Sequence, residues 1–506
     1  MQTQHQKPSK IDNLPLIIIM ITALTLRIFT ALKFPNIFWA DEIFQTLEPA
    51  HRLAFGNSIV TWEFRDGIRS WVLPGILSII MTLTQFLGSG STGYITGVVI
   101  FLCLISLSII IVAYYWGYEI GGKITALTCA IICAIWFEII YFSPKGLTEV
   151  IATHFLLPGI FLATKKSDFP DRKRLFISGI LLGISLCLRI HLLPCIIFLL
   201  IYICGTKFKL KWLPILVGII VCLLVFGVVD AFTWSYPFQS FWLNIWVNVV
   251  EGRSKLYGVS PWYEYGIFLF KSWSWFIIPI TIFIIIGARH CPILLWSGLI
   301  IILSHSILDH KEYRFIYPAL PMFMILAGIG TSEIFTQLIN KLTKHQIFFL
   351  PKNFISLFLA ILFWVNISLP LSTRFNVYQD VKFSIFSTDI KNTHWYGVAN
   401  NLLAMQSLSQ EKNVCGVGLW NIHWALSGGY AYLHHNVPIF SVETNKDFQE
   451  LNSGFNYVVA GLVLPSQHQN YQLKKCWEGT CIYERPGSCN RIVDRDINYI
   501  LKRSGN

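Results

Sequence analysis

Two adjacent acidic residues and a third at helical spacing, a pattern that could form a catalytic group, lie near the N-terminus. They belong to the run Asp41-Glu42-Ile-Phe-Gln45-Thr-Leu-Glu48-Pro-Ala-His51. Adjacent carboxylates can act as a general base whose pKa is tuned by its neighbours and by the edge of a lipid phase. A short helix would bring Glu42, Gln45 and Glu48 near one face. The alternative is structural, with Asp41 as a helix N-cap and the acids placed by the helix dipole. The local pattern leaves both interpretations open.

Basic residues next to apolar runs form a second group of candidates. Arg69 follows Trp62-Glu63 and precedes an apolar run, where it could bind a lipid phosphate or simply extend its head group to the membrane surface. Arg189 and His191 lie where two short apolar runs meet and offer a less specific phosphate-binding pair. Arg69, Arg189 and His191 therefore indicate a phosphate-binding site only if other phosphate-binding groups lie near them.

Aromatic residues beside turn-forming residues are the third group. Tyr257 and Trp262 flank Gly258 and Pro261 in a polar stretch between apolar runs. Aromatic rings held by Gly and Pro turns can form a sugar-binding platform. An aromatic belt at the membrane interface would have the same composition, so this alternative also remains open.

The densest cluster of ionisable groups is His310-Lys311-Glu312-Tyr313-Arg314, between two apolar runs. Lys311 and Arg314 offer donors for phosphate or pyrophosphate oxygens. We expect Glu312 to balance this charge and to orient Arg314. An ordinary outer loop this basic would oppose the positive-inside bias, which favours a binding role for the cluster.

The composition of the chain defines the setting of these residues. Of 506 residues, 54% are hydrophobic and only 13% are charged, whereas soluble domains average ~25% charged residues. This excludes a soluble enzyme, a disordered regulator and a fibrous protein. Several apolar runs reach the roughly 20 residues that span a bilayer. The net charge of +12 is concentrated in short loops of the apolar part, so no nucleic-acid partner is predicted.

The charge pattern predicts which loops face the cytoplasm. Threading the apolar runs between the basic loops predicts about 11 crossings and places every candidate group on the outer side. The first outer loop is 34–71. The stretch 124–164 is too long for one span, so an interfacial or re-entrant piece is expected and the side of Glu149 is not assigned. The predicted cytoplasmic loops are 165–174, 207–211 and 341–344.

The chain divides at about residue 371 into two parts. Residues 1–371 are predicted to be an all-α polytopic membrane domain that carries the candidate site. Residues 372–506 have ordinary charge density and short alternating stretches, which predict a small mixed α/β domain outside the membrane. If that domain faces an oxidising compartment, four cysteines allow disulfides with three possible pairings. They are Cys415, Cys476, Cys481 and Cys489.

Taken in order, the motifs resemble the mannosyltransferases of glycosyltransferase family 22. The resemblance covers roughly residues 35–325, and the ordered set is specific although each motif alone is weak. Glu-Pro-Ala-His at 48–51 with Gly-Ile-Arg-Ser-Trp at 67–71 most resembles the enzymes that add the third mannose of glycosylphosphatidylinositol (GPI) anchors, and their bacterial relatives. Trp39-Ala40, where many members have His-Pro, and the long C-terminal part favour a bacterial homologue that acts on a surface glycan.

This resemblance implies an architecture and a reaction. The fold would be GT-C, with the active site on the periplasmic face of a bacterial inner membrane or the lumenal face of the endoplasmic reticulum. The donor would be a polyprenyl- or dolichyl-phosphate sugar such as the mannose derivative, and the acceptor a glycolipid or lipid-linked glycan. Transfer would invert the anomeric centre without a covalent enzyme intermediate. No cofactor is implied and no metal is indicated.

The resemblance also assigns roles to residues. Asp41 would be the general base, with Glu42 as the second choice. The donor phosphate would be bound by His310, Lys311 and Arg314 with help from Arg69, and Glu312 would be their charge partner. The sugar and acceptor pocket would be formed by Trp62, Glu63, Tyr257, Trp262, Gln45, Glu48 and His51.

Two other functions compete with this one. Another GT-C transferase, such as a protein O-mannosyltransferase, would share the first acidic loop but should lack the cluster at 310–315. A transporter or flippase for a lipid-linked sugar would concentrate polar residues at mid-membrane and often contain internal repeats. Here the polar residues gather on one face and no repeat is visible in the sequence.

Overall fold

The computed structural model describes residues 13–165, 171–204, 208–342, 351–378, 393–461, 464, 470–490 and 495–504. Lys166, Lys207 and Lys344, which contribute to the predicted cytoplasmic loops, lie outside these ranges.

The apolar part of the chain forms a bundle of α-helices. Short π-helices at Ile43–Leu47 and Trp246–Val250, and 3₁₀ turns at Ile190–Leu192, Arg253–Tyr257 and Tyr313–Ile316, lie at the ends of bundle helices. The α-helices are α1 (Leu14–Lys33), α2 (Glu48–Phe55), α3 (Trp62–Arg65), α4 (Val72–Thr84), α5 (Thr92–Ile135), α6 (Phe137–Phe142), α7 (Thr148–Thr164), α8 (Arg172–Leu188), α9 (Leu193–Cys204), α10 (Phe208–Thr233), α11 (Gln239–Ile245), α12 (Glu264–Trp273), α13 (Ile277–Ala288), α14 (Pro292–Ser306), α15 (Ala319–Leu342) and α16 (Lys352–Ser372).

Several of these helices have the length and composition of membrane spans. Among the described residues, six helical segments are long and apolar enough to cross a bilayer, and four shorter apolar helices accompany them. Large apolar side chains such as Leu14, Ile17 and Ile21 of α1 are exposed on the outside of the bundle, as contact with lipid requires. The exact number of crossings, expected to be about 11, stays a prediction. The six segments are Leu14–Lys33, Thr92–Ile135, Lys211–Thr233, Glu264–Ala288, Ala319–Leu342 and Lys352–Ser372.

Helix α15 is the central helix of the bundle, and residues 319–332 of it are buried. Small residues let it approach α13 closely. A Cβ atom on Gly330 would lie 2.1 Å from the Phe283 carbonyl oxygen, and one on Gly287 would lie 2.0 Å from that of Leu326. This packing fixes the start of α15, and therefore the segment that precedes it, relative to the other helices.

The stretch 124–164 folds as three helical pieces, not as one span. Helix α5 is interrupted at Gly121 and Gly122, the latter with φ +70°, so its last part begins near residue 123. Helix α6 and helix α7 follow, with a non-helical loop at 143–147 between them. Glu149 lies in the first turn of α7, beside the site described below.

The C-terminal part contains a five-stranded mixed sheet in the order β2-β1-β3-β5-β4. Strand β1 pairs in parallel with β2 and β3, whereas β5 is antiparallel to β3 and β4. The apolar sequences of β1 to β3 suit strands that are buried on both faces. The strands are β1 (Val417–Trp420), β2 (Ile439–Val442), β3 (Tyr457–Ala460), β4 (Gln472–Trp477) and β5 (Thr480–Glu484), with helices α17 (Ala399–Leu408), α18 (Gly429–Leu433), α19 (Asn445–Leu451) and α20 (Ile497–Ser504) around them.

The fold class predicted from the sequence is thus confirmed: a helical membrane bundle followed by a small α/β unit. The sheet begins at Val417, and α16 ends at Ser372. The domain boundary near residue 371 stays a prediction.

Two disulfides select one of the three pairings that the sequence allows. Cys415 is bonded to Cys489 across 74 residues, and Cys476 to Cys481 across 5. Disulfides persist in oxidising compartments, so this pairing agrees with a C-terminal domain on the outer side of the membrane.

Removing the two disulfides should have unequal effects. A Cys415→Ser/Cys489→Ser variant should lose about 4 kcal/mol of unfolding free energy and a Cys476→Ser/Cys481→Ser variant about 2 kcal/mol, because the longer loop restricts the unfolded chain more. Denaturant unfolding of the two purified variants measures the difference. Equal losses would contradict the loop-length argument.

Candidate active site

A cavity of about 730 Å³ opens at the end of the bundle that contacts the C-terminal domain. Its wall comes from the first loop, the turn after α8, the segment 244–257, the segment 305–315 and the C-terminal domain. Five separate segments of the chain therefore meet around one space. The predicted site residues that line it are Asp41, Gln45, Trp62, Glu63, Arg69, Tyr257, His310, Glu312 and Arg314.

Charged residues of the helical bundle form one wall of the cavity, called the charged wall here, and Arg314 lies at its centre. Its guanidinium contacts the carboxylate of Asp41 and that of Glu312, and Nη1 lies 3.0 Å from Glu149 Oε1. Arg189 Nη1 lies 3.9 Å from the other oxygen of Glu149. The side chain of Arg314 is only 5% exposed, so the protein holds this cation at a fixed place beside the Asp41 carboxylate.

The structure distinguishes the two adjacent acids of the first motif. Asp41 lines the cavity, and its side chain is 32% exposed. Glu42 is 4% exposed, pairs with Lys145 at 2.8 Å and accepts a hydrogen bond from the Phe38 N–H at 2.7 Å. Asp41 is therefore the carboxylate that a substrate in the cavity can reach, and Glu42 anchors the loop to the bundle.

A π-helix explains why the polar side chains of the first motif do not lie on one helix face. The sequence predicts Glu42, Gln45 and Glu48 near a common face, but the three side chains contact different partners. Because Ile43–Leu47 is a π-helix, each turn is wider than in an α-helix, and side chains three residues apart no longer superpose. As a result, only Gln45 of these three lines the cavity.

Glu48 and His51 attach the first loop to the C-terminal domain instead of lining the cavity. The Glu48 carboxylate accepts hydrogen bonds from the N–H groups of Ile59 and Ala431. A Cβ atom on Gly429 would lie 2.6 Å from this carboxylate, so a glycine is needed there. The Glu-Pro-Ala-His sequence thus positions a second domain, which differs from the sugar-binding role that the resemblance implies.

His51 predicts a pH dependence of this attachment. Its Nδ1 donates to the Asn57 carbonyl at 2.8 Å, and its Nε2 accepts from Nδ1 of His434 at 3.1 Å. Burial, opposed by the Asn57 carbonyl and assisted by His434, lowers the pKa of His51 to about 4. Protonated His51 would donate from both nitrogens, so the contact with His434 would require His434 to move its own proton from Nδ1 to Nε2.

Stability should therefore fall between about pH 6.5 and pH 4. A histidine whose pKa is lower in the folded protein contributes stability above its unfolded pKa, and this is lost as the pH falls through the folded value, up to about 3 kcal/mol. Thermal unfolding at pH 7 and at pH 4 measures the loss. The His51→Gln variant should show a smaller loss than the wild type, and an equal loss would refute this role.

Glu63 organises a second part of the wall. Its Oε1 accepts from Gln45 Nε2 at 2.7 Å and lies 3.1 Å from Arg69 Nη2. Burial raises the pKa of Glu63 and Arg69 opposes that shift. Trp62 Nε1 donates to the Tyr257 hydroxyl at 2.9 Å, which joins the first loop to the third predicted group.

His310 and Glu312 form a charged pair at the cavity. His310 Nε2 lies 3.0 Å from Glu312 Oε1. Burial would raise the pKa of Glu312, but Arg314 and His310 outweigh it and bring the value to about 2. Burial would lower the pKa of His310, yet Glu312 raises it above its usual value. His310 Nδ1 also lies 3.1 Å from the Gly258 carbonyl oxygen, so both of its ring nitrogens have partners within the protein.

Lys311 and Trp262 lie outside the cavity lining. Lys311 Nζ donates to the carbonyls of Ser260 and Leu308, at 2.9 and 2.5 Å, and so ties two loops of the site together. Trp262 is 71% exposed on the surface. Of the aromatic pair at 257–263, only Tyr257 faces the cavity.

The structure adds residues that the sequence did not single out, or marked only weakly. Arg189 and His191 line the cavity beside Arg314, and His305 lies next to them with its ring 5.6 Å from that of His191. Their signal in the sequence was a break between apolar runs. Other additions, for which no local signal exists, are Asn244, Asn248, Arg253, His423 and Trp424.

A narrow groove of about 80 Å³ adjoins the cavity. The two share Arg69 and Arg189, which lie on the walls of both. Apolar residues of α4, α10 and the segment after α10 form one part of the remaining wall, and the buried Asp230 carboxylate with Ser70 and Ser240 belongs to the rest. The apolar residues are Leu73, Pro74, Leu223, Phe226, Phe238 and Phe241.

Among the described residues, no group of three or more His, Cys, Asp or Glu side chains could hold a metal ion. The expectation that no cofactor is needed stays a prediction.

The helical bundle, its apolar exterior and its cavity beneath a small C-terminal domain are those of an integral membrane protein of the GT-C type. The structure of ArnT from Cupriavidus metallidurans bound to undecaprenyl phosphate is similar, with a TM-score of 0.57 over 95% of this chain and 100% of that one. At 12% identity this likeness concerns the fold alone. The chain belongs to the Alg9-like mannosyltransferase family, whose model matches residues 18–407.

Curated relatives agree with this family and with the resemblance found in the sequence. GPI mannosyltransferase 3 of Candida albicans is 27% identical over 60% of this chain and 62% of its own length. GPI mannosyltransferase 3 of Debaryomyces hansenii is 24% identical over 66% and 61%. GPI alpha-1,2-mannosyltransferase 3 of Danio rerio is 25% identical over 62% and 60%. The matches thus span about 60% of the length of these relatives.

Proposed function

We propose that this protein is a mannosyltransferase that moves mannose from a polyprenyl- or dolichyl-phosphate donor to a glycolipid or lipid-linked glycan. The observation that carries the proposal is the Asp41 carboxylate on the wall of a cavity whose same side holds Arg314, Arg189 and Arg69. The family and the names of the relatives support mannose as the sugar and a glycolipid as the acceptor. The membrane would be a bacterial inner membrane or the endoplasmic reticulum.

The reaction needs a base and a site for a leaving phosphate. The acceptor hydroxyl oxygen forms a bond to C1 of mannose on the face opposite the phosphate, and the bond from C1 to the phosphate oxygen breaks. The electron pair stays on the lipid phosphate, and the hydroxyl proton goes to Asp41. This direct displacement inverts the anomeric centre and needs no covalent enzyme intermediate.

The arginines supply the second requirement. The lipid phosphate gains negative charge as the sugar leaves, and preformed donors aimed at that charge lower the barrier. Arg314 is buried and Arg189 is mostly buried, and the Phe315 ring lies 4.9 and 4.8 Å from their guanidinium carbons. Glu149 lies between them and keeps the two like charges together. His310 would act at the same side through Glu312, which it binds beside Arg314.

The groove beside the arginines suits the lipid part of the donor. It begins at Arg69 and Arg189 and continues along apolar side chains of α4 and α10. A polyprenyl chain lying there would leave its phosphate at the arginines and its sugar in the larger cavity. A nucleotide sugar has no apolar tail and would leave this groove unused.

Transfer assays with the full-length protein in nanodiscs test the proposal. Radiolabelled polyprenyl-phosphate mannose is offered with glycolipid acceptors that end in mannose, with water alone, and with GDP-mannose as the control donor. We expect transfer from the lipid donor and none from GDP-mannose. Transfer from GDP-mannose, or lipid donor that binds without transfer to any mannose-terminated glycolipid, would overturn the proposed reaction.

A further inference from the structure

One wall of the cavity belongs to the C-terminal domain. His423, Trp424 and Ala425, in the loop that follows strand β1, line it together with Leu501 of α20. These four residues include no Asp, Glu, Lys or Arg, in contrast to the bundle side, where Asp41 and the arginines lie. The cavity therefore has a charged wall and a partly aromatic wall.

The aromatic wall has a defined geometry. The Trp424 ring is half-buried and packs edge-on against Phe44 of the first loop, with centroids 5.0 Å apart. The His423 ring lies 5.5 Å from it at an angle of 34°. His423 Nδ1 accepts a hydrogen bond from the Ala425 N–H at 3.3 Å, so the ring proton is on Nε2, which can act as a donor.

Hydrogen bonds hold the loop that carries these rings, beginning with the Asn421 N–H, which donates to the Val442 carbonyl at 3.2 Å. Asn401 Nδ2 donates to the Leu426 carbonyl at 3.1 Å, and the Glu48 carboxylate binds the N–H of Ala431 in the next helix. Asn498 of α20 bonds to both Ser58 and Val60 of the first loop, at 2.9 and 3.0 Å. The domain is thus docked on the first loop, which contains Asp41, and this docking places the loop with the two rings opposite the charged wall.

We infer that Trp424 and His423 form the binding site for the acceptor saccharide, and that the C-terminal domain thereby sets acceptor specificity. This inference rests on the proposed function. The charged wall already accounts for a phosphate and a base, whereas an uncharged sugar needs an apolar face to pack on and a few donors to orient it. An acceptor ring packed on Trp424 would lie between that wall and Asp41, where its hydroxyl can lose a proton.

Initial rates in nanodiscs test this assignment. A synthetic lipid-linked dimannoside serves as acceptor and polyprenyl-phosphate mannose as donor, and the KM of each is measured for Trp424→Ala, Trp424→Phe and His423→Ala. Trp424→Ala should raise the acceptor KM about tenfold or more, as truncation of a buried aromatic anchor does, and leave the donor KM within about twofold. Trp424→Phe, which keeps a flat ring, should stay within about threefold of the wild type.

The matched control is Trp477→Ala, a half-buried tryptophan of the same domain that does not line the cavity. An unchanged acceptor KM in Trp424→Ala, or an equal rise in both KM values, would refute the assignment. If Trp424→Ala does not fold, the test uses His423→Ala, because His423 is exposed. An unchanged acceptor KM in that variant would refute the assignment of the acceptor site. A wild-type protein that transfers nothing from the lipid donor would overturn the proposed function itself, which is a different result.

Discussion

Asp41→Asn should lower the turnover number by about 10³-fold, while the donor still binds. Asparagine keeps the size of the side chain and can still contact the protein, but it cannot take the proton of the acceptor hydroxyl, and general-base catalysis contributes 10²–10⁴-fold. The measurement is transfer from radiolabelled polyprenyl-phosphate mannose, with equilibrium binding of the donor measured in parallel. Retention of more than a tenth of the wild-type rate would remove Asp41 from the role of base.

Two further variants show whether the loss is specific to this carboxylate. Asp309→Asn changes an exposed carboxylate that pairs with Lys255 and does not line the cavity, so transfer should be unchanged. Glu42→Gln removes the partner of Lys145 and should lower the unfolding temperature more than it lowers the rate per folded molecule. If Glu42→Gln lost transfer as completely as Asp41→Asn, the base could not be assigned to one residue.

Arg314→Ala should lower the free energy of unfolding by about 3–5 kcal/mol and abolish transfer as well. Glu149 would keep only the more distant Arg189, and the partly buried Glu312 only His310. Both would lose the cation that lies closest to them, and removing one partner of a buried ion pair is strongly destabilising. Denaturant titration of the purified protein measures the first effect, and the transfer assay measures the second. A loss below about 1 kcal/mol would contradict the central place given to Arg314.

An exposed ion pair provides the matched control. Arg495 is 55% exposed and pairs with Glu450, so Arg495→Ala should cost no more than about 1 kcal/mol. A Glu149→Gln/Arg314→Ala variant should regain part of the lost stability because one of the buried charges is then absent. Recovery of stability without recovery of transfer would separate the structural role of Arg314 from its place in the site.

The sequence predicted the fold class and most of the charged wall. Membrane spans can be predicted from the sequence because an apolar run of about 20 residues is rarely stable as anything but a transmembrane helix. Asp41, Arg69 and Arg314 could be identified because ionisable groups at the ends of such runs are costly and therefore informative. All three line the cavity.

The spacing of residues in the first motif did not predict which partners Glu42 and Glu48 contact. A helical pattern was expected for residues 42–48, but a π-helix turns Glu42 towards Lys145 and Glu48 towards the C-terminal domain. Whether this turn is an α-helix or a wider π-helix depends on the contacts that its side chains make in the folded protein. Those contacts are with residues far away in the sequence, so the pattern of residue types does not reveal them.

The sequence by itself determined that this chain is a membrane protein, that its acids and bases gather on one side, and which family it resembles. Only the tertiary structure decided that Glu48 and His51 meet residues 383 positions later in the chain, and that Trp424 closes the cavity containing Asp41. The physical reason is that hydrophobicity and charge act on each segment separately and fix its depth in the membrane. The pairing of distant segments depends on packing and hydrogen bonds, which exist only once the bundle and the C-terminal domain have formed.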